Sequence, residues 1–383
     1  MPTRSPDRPW WRAGLLLFAV GWGANHFVPL LFVYRRDLGL DASAVAILLG
    51  TYALGLVPGL LLAGPLSDRV GRRAIALPAA TGAFLASAVL GASGGSFVGL
   101  ALGRFLYGLA AGAVMSPVSA WVLELSAPGA GPRRATIAMS AGFGTGPLVS
   151  GLCAELAPAP TVTPYAVHLV VLATAIALVW PTPNVSARST RPLLRLDLGT
   201  GGWRRFAREA APMAPFVFAF PTIAFAALPS MLAGAFAHAP IAFAGIVAAC
   251  VLASGVLIQP YTRRGSPVAT ARIGLAIGAL GIGIGALAVI AQQPALVLAC
   301  APVLGIAYGT CMTSGLRTVE AIAPAHARGG LAGVYLVLTY VGFATPLALA
   351  QLARAIGAVA SLGLVAGLAL VVAVALRAPG AAR

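Results

Sequence analysis

Between two uncharged stretches the chain reads Gly64-Pro65-Leu66-Ser67-Asp68-Arg69-Val70-Gly71-Arg72-Arg73. Four charges crowd into six positions here, while roughly twenty residues on either side carry none. A stretch of that length and polarity crosses ~30 Å of hydrocarbon as a helix. Gly71 gives the backbone freedom at the point of reversal, and Asp68 supplies an acceptor. The run therefore reads as a tight polar turn at a membrane surface, its three guanidinium groups expected in water or on lipid phosphates.

The same pattern repeats outward along all 383 residues. Hydrophobic residues make up 59% of the chain, charged residues only 9%, and mean hydropathy is +0.93. A soluble domain carries about 25% charged residues, so this chain cannot cover a water-facing surface. A net charge of +16, carried by arginine without a single lysine, would otherwise suggest nucleic acid. The composition excludes such a partner, and it equally excludes disorder. Twelve spans are expected, over 13–34, 44–66, 74–93, 96–122, 135–156, 163–181, 211–233, 240–260, 270–291, 295–317, 330–351 and 356–376. The four cysteines lie in apolar stretches without metal-ligand or disulfide spacing, so no metal or other cofactor is expected.

Sorting the arginines by loop orients the chain. Twenty of the 25 fall on one side, in the N-terminus, the even-numbered loops and the C-terminus. Arg35, Arg36 and Arg354 fall on the other side, and Arg104 and Arg317 lie within or at the end of spans. The positive-inside rule then places both termini in the cytoplasm of a cell (plasma or inner) membrane. The Arg-rich break at 184–209 divides the chain into halves, 1–183 and 210–383, and reads as a solvated cytoplasmic linker. The halves echo one another. Gly108-Leu-Ala-Ala-Gly112 in span 4 matches Gly305-Ile-Ala-Tyr-Gly309 in span 10. Gly142-Phe-Gly-Thr-Gly-Pro147 in span 5 matches Gly342-Phe-Ala-Thr-Pro346 in span 11. Two same-direction six-helix repeats describe a known transporter plan.

The turn around Asp68 resembles the signature loop of the major facilitator superfamily, Gly-x-Leu-(Ala/Ser)-Asp-(Arg/Lys)-x-Gly-(Arg/Lys)-(Arg/Lys), at every specified position. Arg104-Phe-Leu-Tyr107-Gly108 resembles that family's Arg-x-x-Gln-Gly, with Tyr107 in place of Gln. Gly142-x-x-x-Gly146-Pro147-x-x-Ser150-Gly151 resembles its Gly-x-x-x-Gly-Pro-x-x-Gly-Gly, a pattern associated with exporters and antiporters, with Ser150 in place of Gly. The resemblance implies an all-α polytopic membrane protein with twelve transmembrane helices in two pseudo-symmetric six-helix bundles. It implies that Gly64, Asp68, Arg69, Gly71, Arg72 and Arg73 form a gating loop between the halves. It also implies that Gly142, Gly146, Pro147 and Gly151 form a hinge in helix 5, packed where that helix meets the other half.

Ionisable groups at membrane depth are functional candidates by default. His26 and Arg104 are expected at similar depth, facing one water-filled cavity, with His26 as a proton carrier. Trp22, Asn25, Tyr107, Tyr308, Tyr335 and Thr339 are further cavity candidates, and Trp121 and Phe220 belong with them. His168 is expected at the interface, Glu124 beside Arg133 or Arg134, and Glu320 beside Arg317. No carboxylate sits centrally in a span, so proton coupling comes from the resemblance more than from the residues. The expected function is secondary active transport of a small hydrophobic or amphipathic solute by alternating access, as a proton-coupled exporter acting as a monomer in the lipid bilayer. Uptake or facilitated transport of a small metabolite, by uniport, symport or anion exchange, stays open beside it. A receptor or scaffold on the same fold is a further reading. A membrane enzyme would need a catalytic cluster or phosphate-binding loop that the sequence lacks.

Overall fold

A computed structural model describes residues 9–127, 130–184, 199–232, 235, 239–324 and 328–376. Among these the regular structure is helical, with no strand. Eleven helices are long and apolar enough to cross a membrane: α1 (Trp10–Leu38), α2 (Ser43–Val70), α3 (Arg72–Ala92), α4 (Phe97–Leu125), α5 (Gly131–Leu156), α7 (Gly201–Met231), α8 (Pro240–Leu257), α9 (Pro267–Ala291), α10 (Ala295–Ile322), α11 (Gly330–Ile356) and α12 (Ala358–Ala375). The remaining apolar helix, α6 (Thr163–Val179), has 17 residues, about 26 Å at ~1.5 Å each. All twelve expected spans correspond to helices. Two compact units are formed, one of Met1–Gly39 with Ile47–Leu194, the other of Leu40–Ala46 with Arg195–Arg383.

Several helices are interrupted for identifiable reasons. Helix α1 breaks at His26, between Trp10–Asn25 and Phe27–Leu38. Pro29 lies three residues on, lacks an N–H and crowds the carbonyl of Asn25, so the helical bond there cannot form. Ser150 of α5 donates instead to the neighbouring His26 carbonyl at 2.6 Å. Helix α7 contains a π turn over Ile223–Ala227, and α11 a 3₁₀ turn over Val341–Ala344.

The polar break at 184–209 is not linker throughout. Gly199–Glu209 is helical, with Phe206 buried and Arg205 paired to Glu209 at 3.1 Å. Phe206 is the apolar residue held inside, while Trp203 stays exposed, which corrects the expectation of a wholly solvated segment. Arg188, Arg191 and Arg195 lie outside the described residues.

The internal echoes correspond to equivalent packing in the two units. A β-carbon on Gly108 (α4) would overlap the Tyr52 carbonyl of α2, and one on Gly112 the Leu56 carbonyl. Gly55 and Gly59 of α2 approach the Phe105 and Leu109 carbonyls of α4 just as closely. In the second unit Gly305 and Gly309 of α10 meet the Val251 and Gly255 carbonyls of α8. Likewise Gly142 of α5 lies against the Phe18 carbonyl of α1, and Gly342 of α11 against the Pro215 carbonyl of α7. Lipid provides no hydrophobic drive between helices, so close backbone approach and dispersion hold them together. Gly142 and Gly146 therefore face α1 of their own unit, with Pro147 and Gly151 buried beside them.

Candidate functional site

The turn between α2 and α3 is one residue long. Gly71 takes φ +100°, a conformation that side chains disfavour, and a β-carbon there would collide with Asn184. Arg72, the first residue of α3, is the hub. It pairs with Asp68, reaches Glu124 of α4 at 2.9 Å and donates to the Ser67 hydroxyl at 2.7 Å. Ser67 in turn donates to the Gly64 carbonyl at 2.7 Å. Arg73 lies over the Trp180 ring at 5.6 Å, and Trp121 donates to the Pro183 carbonyl at 3.0 Å. The turn is thus seated on the chain that leaves α6.

Three expectations change here. The Arg72 side chain is only 12% exposed, because two carboxylates hold it where water was expected. Glu124 meets Arg72, while Arg134 lies over the Trp10 ring at 4.4 Å. Trp121, expected among the cavity residues, is buried at this end of the unit, bonded to the Pro183 carbonyl.

A second cluster is buried in the same unit. The His168 ring is fully buried, with Nδ1 2.8 Å from the Ser87 hydroxyl and Nε2 3.1 Å from the Ala19 carbonyl. The carbonyl can only accept, so Nε2 carries a proton and donates to it, and Nδ1 shares a hydrogen bond with the Ser87 hydroxyl. Tyr107 donates to the Val20 carbonyl at 3.1 Å, and the Tyr34 and Tyr165 hydroxyls meet at 2.9 Å. His26 lies among them, its ring 4.8 Å from His168, 4.9 Å from Tyr165 and 6.4 Å from Tyr107. It is fully buried, and neither ring nitrogen has a hydrogen-bond partner among the described residues. A buried unsatisfied polar atom costs about 1–3 kcal/mol.

Arg104 is also buried, at 2% exposure. Its guanidinium lies over Tyr52 at 4.2 Å and Phe27 at 4.6 Å. It makes long bonds of 3.4 Å to the Leu48 and Ala24 carbonyls. These contacts tie α4 to α1 and α2 beside the break in α1. The water-filled surroundings expected for His26 and Arg104 are replaced by aromatic rings and backbone. His168, expected at the interface, is a core residue of this cluster. Its partners Ser87 and Ala19 lie 81 and 149 residues away, and no local pattern marks them.

The other candidates disperse. Trp22 is buried against Phe18 at 5.7 Å, and Asn25 is half-buried. In the second unit Tyr335 donates to the Cys311 carbonyl at 3.0 Å, and Thr339 to its own helix at Leu336. Arg317 donates to the Thr262 and Gly265 carbonyls at 3.0 and 2.8 Å where a pair with Glu320 was expected. Tyr308 stacks on Phe218 at 5.9 Å, and Phe220 is fully buried against Gly278.

Comparison with known proteins places this architecture. The model of the Major Facilitator Superfamily matches residues 13–346. The quinolone resistance protein NorA of Staphylococcus aureus is 31% identical over 145 residues, 37% of this chain and 37% of that protein. The glucose transporter GlcP of Staphylococcus epidermidis is 31% identical over 97 residues, 25% of this chain and 21% of that protein. The alignments thus span 37% and 21% of the lengths of these curated relatives. Among solved structures, a POT family transporter in complex with 5-aminolevulinic acid superposes with a TM-score of 0.78 at 12% identity, covering 98% of this chain and 97% of that one. A mutant of the nucleoside transporter NupG gives 0.73 at 15% identity, covering 96% and 98%. At such identities the likeness concerns the fold. With the family model spanning nearly the whole described chain, and with the Asp68 turn and twelve helices in place, this protein belongs to the Major Facilitator Superfamily, a family of membrane transporters and not of enzymes.

Proposed function

We propose that the chain is a secondary active transporter that exports a small hydrophobic or amphipathic solute by alternating access, driven by a proton gradient. The observation that carries this reading is the ion-paired turn of Asp68, Arg72 and Glu124. Asp68 sits in the last turn of α2 and Arg72 at the start of α3, each at the helix end that the helix dipole disfavours for its charge. Such a pair holds only while its partners stay in place, which suits a latch that closes and releases. The local similarity to a quinolone resistance protein supports export. In this reading residues 1–183 and 210–383 are the moving bundles, joined through 184–209, whose Gly199–Glu209 helix moves with the second. Both termini face the cytoplasm of the plasma (inner) membrane, and the protein works as a monomer.

Everted vesicles loaded with an acidic interior test the drive directly. A quinolone is expected to accumulate inside while the gradient lasts and to leak out once it is collapsed. Accumulation that ignores the gradient would remove proton antiport. Uptake is the second reading, favoured by the local similarity to a glucose transporter, and glucose movement in right-side-out vesicles under the same gradients would select it.

His26 is the proton carrier in this proposal. Its imidazole is deep, unpartnered among the described residues and surrounded by Tyr107, Tyr165 and His168. In His26→Gln, gradient-driven accumulation is expected to drop to the level seen without a gradient, while gradient-free solute exchange persists. Unchanged gradient-driven accumulation would take His26 out of the cycle.

A further inference from the structure

In the second unit four aromatic rings converge from three helices. Phe218 of α7 lies 4.9 Å from Tyr340 of α11 with 26° between the rings, and 5.9 Å from Tyr308 of α10 with 30° between them. Phe343 of α11 lies 4.9 Å from Phe218 and 5.4 Å from Tyr340. These separations fall in the range for stacked and tilted aromatic pairs. Phe218, Tyr340 and Phe343 are half-exposed, while Tyr308 is buried behind them.

Two features separate this cluster from ordinary lipid-facing aromatics. First, Tyr308 and Phe343 stand at the middle of α10 and α11, about 20 Å from either end at ~1.5 Å per residue. Lipid-facing Tyr and Trp gather at the interfaces, where the polar atom meets water. Second, the backbone is irregular where the rings meet. Phe343 lies in the 3₁₀ turn of α11, and the π turn of α7 begins five residues after Phe218. Gly342 lets α11 touch the α7 backbone at Pro215, and Thr222 donates to the Gly342 carbonyl at 3.3 Å. Irregular backbone at membrane depth is tolerated where it is buried in protein or lines a cavity, and broken helices near the midplane mark solute sites in transporters.

We propose that Phe218, Tyr308, Tyr340 and Phe343 form a stacking platform in the second unit that binds the planar aromatic ring system of the transported solute. This deepens the transport reading and rests on it for the word "transported". The part-exposed rings of Phe218 and Phe343 offer aromatic surface on which a further planar ring packs. A bulky non-planar solute gains only apolar contact there. Among the described residues no Asp or Glu lies on α10 or α11 between Ala295 and Arg317 or between Gly330 and Ile356, so the platform selects by shape and not by charge.

Two lipophilic monocations of different shape make the test: ethidium, which is planar, and tetraphenylphosphonium, which is a propeller. Binding is measured on purified full-length protein by equilibrium titration, with no gradient and no transport step. Phe218→Leu keeps apolar bulk and removes the ring, and Phe343→Leu does so independently at the half-exposed position. Each is expected to weaken ethidium binding roughly ten-fold while leaving tetraphenylphosphonium within about two-fold. Unchanged ethidium binding in both variants overturns the platform, as does an equal loss for both probes. Transport of neither probe alongside selective binding loss would refute the transport reading and leave the platform standing.

Discussion

Gly108→Leu is expected to remove nearly all folded protein from the membrane. The backbone of α4 touches that of α2 at Tyr52 and Leu56, and the reciprocal glycines Gly55 and Gly59 close the same contact from the other side. A side chain at 108 meets carbonyl and amide groups, not a flexible side chain, so only separation of the helices can relieve the overlap. Overpacking in cores costs about 1–3 kcal/mol, and a backbone-on-backbone contact falls at or above the upper end. Separation would also loosen Arg104 from the Leu48 carbonyl. The measurement is monodisperse yield and melting temperature in detergent. Gly367→Leu is the control, since Gly367 of α12 has open space around it, and its melting temperature should match the parent. A well-folded Gly108→Leu protein with an unchanged melting temperature would refute this account of the α2–α4 contact.

Arg72→Ala carries the largest expected effect on transport. It removes the charge that pairs with both Asp68 of α2 and Glu124 of α4. If the turn latches one conformation, its loss shifts the conformational equilibrium by about 1–3 kcal/mol, roughly five- to 150-fold. The transport rate should fall within that range, and equilibrium solute affinity should stay within about three-fold. Asp68→Asn should slow transport in the same way, because it breaks the Asp68–Arg72 pair from the other side. Normal transport in Arg72→Ala would dismiss the latch. A large affinity loss at normal rate would place Arg72 at the solute and not at a gate.

The two sites differ in how far they could be read from residues alone. The turn was legible as a turn because its parts are contiguous: Gly71, Asp68 and the arginines stand within ten positions, between two apolar stretches. Its partner was not, since Glu124 is 52 residues from Arg72 and the arginines at 133 and 134 lay nearer in sequence. The glycine echoes at 108 and 305, and at 142 and 342, were legible as repetition. Their purpose, backbone contact with the second or the first helix of each unit, was not. The buried cluster was half legible. His26 and Arg104 stood out as polar groups in apolar stretches, whereas His168 lay near a span end, where an interfacial position is the usual outcome.

The amino-acid sequence by itself determined the twelve spans, the polar turn and the family, because hydrocarbon thickness and helical rise convert apolar length directly into a crossing. It also determined the repeat, since two equivalent backbone contacts demand glycine at equivalent places. Only the tertiary structure decided which groups meet. It turned Arg72 from a solvated charge into the bridge between Asp68 and Glu124. It brought His168 to Ser87 and His26, and it gathered Phe218, Tyr308, Tyr340 and Phe343 at the middle of three helices. Facing positions depend on helix rotation and on where each helix breaks. Those are set by packing summed over many neighbours, which a uniformly apolar surface does not spell out residue by residue.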